Sequence, residues 1–186
     1  LEQAAATQGE QGVAHESQVV RRRAIDDMAQ GMAGRRRDLE PRLADLDDVE
    51  RLAAELLDNY PHIDVLANNA GGSFSNGRVE TRDGHELTFQ VNYLAAWYLT
   101  WLLTDRLVSS KATVINTSSV AHKLLARFDI GDLDSERRFS PSVAYGNAKL
   151  ALLLHMHELQ SRYGAKGLSA VAFHPGLVGT DFAATA

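Results

Sequence analysis

Ile63-Asp64-Val65-Leu66-Ala67-Asn68-Asn69-Ala70-Gly71 is a short apolar run that ends in two asparagines, an alanine and a glycine. Such a run, bounded by turn formers, predicts a strand over Ile63–Ala67 with polar residues at its exit. Outward from it the pattern recurs. Arg42–Leu43, Thr113–Asn116 and Ser169–Phe173 are the other strand candidates, and their exits read Ala44-Asp45-Leu46, Thr117-Ser118-Ser119 and His174-Pro175-Gly176. Between the strands lie helix-length stretches with one apolar face. The first carries Val49, Leu52, Ala53, Leu56 and Leu57, is expected to start at Asp47 or Asp48, and is closed by Pro61. The second carries Leu87, Val91, Leu94, Ala95, Tyr98 and Leu102; the third runs from about Ala144 to Tyr163 with Ala148, Leu152, Met156 and Leu159 on one side. Strands alternating with helices predict an α/β fold with a parallel sheet.

The chain has 186 residues, 45% hydrophobic and 23% charged, with a net charge of −5, which suits one globular domain over residues 1–186. Cysteine is missing, so disulfide scaffolds, thiolate nucleophiles and cysteine-zinc sites are excluded. Leu1 to Ser17 holds neither a basic start nor an apolar core of a leader, and together with the lack of cysteine this predicts a cytoplasmic protein. The longest apolar run, Leu94 to Leu103, falls short of the ~20 residues of a membrane span. Arg21–Arg23 and Arg35–Arg37 are followed by acidic residues and read as solvated faces, so no nucleic-acid partner is expected. His122, His155, His157 and His174 lack ligand spacing, and no metal is expected. Residues 1–40 are poorly defined: Val19–Val20 is a short strand candidate, Ala24–Met32 a helix candidate, and no glycine-rich turn sits between a strand and a helix.

In open α/β sheets ligands bind beyond the carboxyl ends of the strands, where the four polar exits fall. The third helix adds Tyr145 and Lys149, neighbours on one face at i, i+4. An ammonium beside a phenol favours the phenolate and is expected to pull the Tyr145 pKa below its usual value of about 10, toward use as a proton donor or acceptor near neutrality. Plainer readings stand beside this one. Tyr145 and Lys149 could be surface residues, Asp45 a helix cap, and Asn68, Gly71, Pro175 and Gly176 turn formers.

Taken together, Asn68-Asn69-Ala70-Gly71, Thr117-Ser118-Ser119, Tyr145-Gly146-Asn147-Ala148-Lys149 and Pro175-Gly176-Leu177-Val178-Gly179-Thr180 resemble the short-chain dehydrogenase/reductase family in order and context. The resemblance runs from about Asp45 to Thr180 and includes Thr81 to Glu86 leading to Val91-Asn92. Val120-Ala121-His122 and Asp132-Leu133 look most like its retinol-dehydrogenase and WW-domain-oxidoreductase branch. The family implies a Rossmann-like doubly wound sheet and an NAD(P)-dependent oxidoreductase acting on a lipophilic alcohol or carbonyl. Tyr145 would be its general acid or base, Lys149 the residue that tunes Tyr145 and holds the nicotinamide ribose, Ser119 the hydroxyl on the substrate oxygen, and Asn92 the keeper of a water-linked proton path. For the cofactor, the resemblance implies Asp45 at the adenine, Asn68 with Ala70 and Gly71 along the adenosine ribose, and Pro175, Gly176, Val178 and Thr180 toward the nicotinamide. An arginine among Arg21–Arg23 would favour NADP over NAD.

Two parts of the family pattern have no match in the sequence: the first strand with its Thr-Gly-x-x-x-Gly-x-Gly turn, and the segment past Thr180 that covers the substrate. The expectation is therefore an incomplete form of the enzyme. A non-catalytic relic of the fold, acting as a binding or scaffold protein, is the alternative, and an epimerase using the same tyrosine and lysine is a third reading. Trp97, Trp101, Leu150 and Leu154 are left over once the core stripes are assigned, which predicts a helical homodimer interface.

Overall fold

Three strands lie side by side in the order β1 (Val65–Asn68), β2 (Thr113–Thr117), β3 (Ser169–Phe173), all parallel, in a computed structural model that describes residues 42–74 and 77–176. These residues fall in one compact unit, Leu39–Ala186. The expectations for residues 1–40, for Arg21–Arg23 and for Val178 and Thr180 lie outside the described residues. The register puts Leu66, Val114 and Ala170 in one row and Asn68, Asn116 and Ala172 in the next, on the same face of the sheet. That face is the covered one: Val114 joins Leu103, Leu107, Met156, Leu159 and Leu168 in the main core.

The expected strand at Arg42–Leu43 is a correction, since both residues are helical. Two residues cannot display a period of two, and the Asp45 N–H donating back to the Arg42 carbonyl (3.3 Å) closes a turn there. Helix α1 (Leu46–Asn59) then starts earlier than expected. Its N-cap is Asp45, whose Oδ1 accepts from the Asp47 N–H at 3.0 Å, which leaves Asp47 and Asp48 in the first turn where the helix dipole favours them. Val49 and Ala53 of the expected stripe are buried.

The second helix is interrupted. After α2 (Leu87–Phe89), capped by the Glu86 carboxylate on the N–H groups of Thr88 and Phe89, a π turn over Gln90–Leu94 leads into α3 (Ala95–Leu102) and α4 (Thr104–Ser109). A π turn holds one extra residue, so the faces before and after it are out of phase. The buried line is therefore Val91, Ala95, Leu99 and Leu103, whereas Leu94, Tyr98 and Leu102 are only half-buried. Among the described residues no helix is long and apolar enough to cross a membrane.

After β2 come α5 (Ala121–Leu124) and α6 (Pro141–Tyr163), the latter opened by Pro141 with Ser140 extended before it. Ala148, Leu152, Met156 and Leu159 are buried as their spacing predicts. His155 is buried on the same helix with its Nδ1 unpartnered, and burial lowers its pKa to about 4. Between the ordinary value near 6.5 and 4 the unfolded chain binds a proton that the folded chain refuses, so stability falls as pH drops through that window. Urea melts of the intact protein at pH 7 and pH 5 should differ by about 2 kcal/mol from this group. His155→Leu should remove that difference; an unchanged pH dependence in the variant would sink the assignment.

Candidate active site

Parallel strands in register bring their carboxyl ends to one edge. There β1 releases Asn69-Ala70-Gly71, β2 releases Ser118-Ser119, and β3 releases His174-Pro175-Gly176. With residues 42–43 helical, these are the three strand exits among the described residues. Side chains tie the edge together. Asn68 Nδ2 donates to Asn116 Oδ1 (2.8 Å) and Thr100 Oγ1 (3.1 Å), and Thr117 Oγ1 donates to Asn69 Oδ1 (2.7 Å). The Ser118 N–H continues the ladder to the Phe173 carbonyl at 2.9 Å.

Lys149, on α6, is buried at the same edge. Its Nζ donates to the Thr117 carbonyl at 3.0 Å, while its own carbonyl accepts from Ser118 Oγ at 3.1 Å. Consecutive residues of the β2 exit thus hold both ends of the lysine. With little water around it, the ammonium is destabilised and its pKa is lowered to about 8.

Tyr145 lies one turn earlier, half-buried, with the Lys149 Nζ 5.5 Å from the centre of its ring. It shares a hydrogen bond with Ser119. The expectation that its pKa drops is corrected: burial raises it, and the Ser119 bond pulls the other way without reversing the sign. The lysine that was to lower it is bonded to the Thr117 carbonyl.

Asn92 sits in the π turn, nearly inaccessible. Its Nδ2 donates to the carbonyls of Gly72 (2.8 Å) and Thr88 (2.9 Å), and its Oδ1 has no partner. Gly71 stands between Asn92 and the lysine. A Cβ there would fall 2.5 Å from Asn92 Oδ1 and 3.6 Å from Lys149 Nζ, so glycine is what lets the three approach.

The structure therefore gathers Asn92, Ser119, Tyr145, Lys149 and Gly71 at one edge. Ala70, Pro175 and Gly176 lie exposed on the strand exits. Asp45 stands apart, engaged by the start of α1 and by Arg82, whose Nη1 is 2.6 Å from its Oδ2. Sequence reasoning missed Ser118 and the Thr117 carbonyl, because a backbone acceptor leaves no mark in the sequence. It also missed Asp83, whose Oδ2 accepts from the Leu46 N–H (3.0 Å) and Gln90 Nε2 (2.7 Å) and so joins α1 to the π turn.

This geometry has relatives. Residues 3–186 match the family described as short chain dehydrogenase. The chain belongs to that family. Mouse retinol dehydrogenase 12 is 39% identical over 137 residues, which is 73% of this chain and 43% of that protein. A crystal structure of a Mycobacterium paratuberculosis protein is 37% identical with a TM-score of 0.62, over 77% of this chain and 51% of that one. A short-chain dehydrogenase from Sphingobium yanoikuyae, solved in complex with NADPH, is 23% identical with a TM-score of 0.57 over 75% of this chain and 50% of its own, a likeness of fold. The short-chain dehydrogenase chain described here spans about half the length of the relatives it matches.

Proposed function

We propose that the protein is an NAD(P)-dependent oxidoreductase interconverting a lipophilic alcohol and its carbonyl, with Tyr145 as general acid or base. The observation that carries this reading is the convergence of Ser119, Tyr145 and Lys149 beyond the carboxyl ends of β1 and β2, with Tyr145 hydrogen-bonded to Ser119. The residues present fit the nicotinamide-ribose end of such a cofactor. Asn92 Oδ1 is a buried acceptor without a partner, a Cβ at Gly71 would fill the space before it, and a lysine amine stands beside that space. A bound nicotinamide supplies or accepts the hydride. Lys149 would hold the ribose hydroxyls, and Gly71, Ala70, Pro175 and Gly176 would let backbone approach the nucleotide closely.

In the reducing direction Tyr145 donates its phenolic proton to the substrate oxygen, and Ser119 donates a hydrogen bond to the same atom as charge develops there. A phenol whose pKa is raised by burial keeps that proton at neutral pH, which suits the donor role. Asn92 Oδ1 would hold a water behind Lys149 and so replace the proton. Asp45 would meet the adenine only by sharing its carboxylate with Arg82. Val178 and Thr180 complete the nicotinamide side of the proposal, and Arg21–Arg23 its tilt toward NADP. The same reading takes the protein to be cytoplasmic, in line with its lack of cysteine. A homodimer through the exposed Trp97, Trp101 and Leu154 belongs to it too.

The test is titration of the intact protein with NADPH and NADH, followed by turnover of lipophilic carbonyls. Saturable binding and cofactor oxidation are expected. Tight binding with no turnover of any carbonyl or alcohol would favour the scaffold reading instead.

A further inference from the structure

Gln90 opens the π turn that carries Asn92. Its side chain is fully buried, and an amide in such a place needs partners at both of its ends. It has them. Oε1 accepts from Thr81 Oγ1 at 2.6 Å, while Nε2 donates to Asp83 Oδ2 at 2.7 Å and faces the Leu43 carbonyl at 3.5 Å. Asp83 is held in its turn, because the same Oδ2 accepts from the Leu46 N–H at 3.0 Å. Thr81 and Asp83 belong to a closed turn, in which the Thr81 N–H donates to the His85 carbonyl at 2.9 Å and the Gly84 N–H to the Thr81 carbonyl at 3.1 Å. One amide therefore fastens the first residue of the π turn to the 81–85 turn and to the start of α1.

A π turn is rare where an ordinary α-helix could form, so something must select it. Here α3 is fixed by Ala95 and Leu99 in the main core. Reverting to an unbroken α-helix would turn Gln90 by about 100° against that fixed end. The amide would leave Thr81 and Asp83, and buried polar groups would be left unpaired. Two residues further on, the Asn92 side chain reaches the Gly72 carbonyl, and its Oδ1 lies against Gly71 next to the Lys149 amine.

We propose that Gln90 is a positioning residue: its amide pins the π turn to Thr81 and Asp83, and the pinned turn sets Asn92 against Gly71 beside Lys149. The catalytic part of this rests on the oxidoreductase reading; the pinning itself does not.

The intact protein would be followed by amide hydrogen exchange and by turnover of decanal with NADPH. Gln90→Met keeps the length of the side chain and removes the amide. Exchange in a peptide covering residues 90–95 should speed up at least about tenfold, with that of α6 as in the parent. The kcat should fall about tenfold and KM for decanal stay within about threefold, as expected when a group that does not touch substrate shifts one that serves the reaction. On an Asn92→Ala background the same substitution should cost less than about twofold, because the residue it acts through is already gone. Gln90→Glu sets a carboxylate against Asp83 and should lose as much at pH 7. Adding Asp83→Asn gives that pair a donor again and should bring kcat back to within about threefold of the parent.

Unchanged exchange in Gln90→Met overturns the pinning. A loss of about tenfold on the Asn92→Ala background overturns the route through Asn92, since the damage is then to the fold at large. Should Gln90→Met not fold, failure of Asp83→Asn to restore Gln90→Glu overturns the pairing. If the parent turns over no carbonyl with NADPH or NADH, the oxidoreductase reading falls and the catalytic part of the proposal with it, whereas the exchange result decides the pinning by itself.

Discussion

Tyr145→Phe is expected to lower kcat about a thousandfold, the contribution of a well-placed proton donor, or roughly 4 kcal/mol of transition-state stabilisation. The ring stays, so its burial and its place beside Lys149 are retained; only the hydroxyl shared with Ser119 goes. Cofactor affinity, followed by fluorescence titration, should fall far less than turnover. A variant that still turns over within tenfold of the parent would remove Tyr145 from the mechanism, and Ser119 would lose its role as partner with it.

Lys149→Met should act in opposite directions on activity and stability. The parent amine has a pKa of about 8 because it is buried, so at pH 7 the folded state carries a charge that the interior resists. Methionine fills a similar volume without that cost, and after allowing for the lost bond to the Thr117 carbonyl the variant should be more stable by about 2 kcal/mol at pH 7. The sign with pH follows from proton counts. From about 8 up to the ordinary value of 10.5 the unfolded chain holds a proton that the folded chain has released, so the parent gains stability as pH rises through that window. Melts of the variant should lack this rise, and its turnover should fall at least about a hundredfold. A less stable variant would mean that the lysine contributes to folding more through its hydrogen bond than it costs through its charge.

The elements that were legible are those whose signals are local. β3 and the apolar side of α6 match their expected residues, because an apolar run between turn formers and a four-residue spacing are properties of short windows. The strand exits follow directly once the strands are parallel. What was not legible depends on distant neighbours. Arg42–Leu43 was too short a run to separate helix from strand, and the apolar residues around the π turn fit an uninterrupted helix well enough to hide the change of phase. The Tyr145 pKa goes the other way because burial, which no window of sequence displays, outweighs the hydrogen bond with Ser119. Asn147 read as one more polar position between two interesting ones, since its partner is backbone.

The π turn over Gln90–Leu94 has a consequence for how this site tolerates change in chain length. Most loops accept a lost residue by sagging; a helix cannot, because its faces are counted off in residues. Deleting one position between Gln90 and Leu94 would let an ordinary α-helix form without a break, and no core residue need be lost. Everything upstream would then rotate by about 100° relative to α3. The Glu86 N–H would leave the Asp134 carboxylate, and Asn92 would turn away from Gly72. The placement of Asn92 is therefore stored as a number of residues rather than as a choice of them, and a single deletion that looks neutral in composition would erase it.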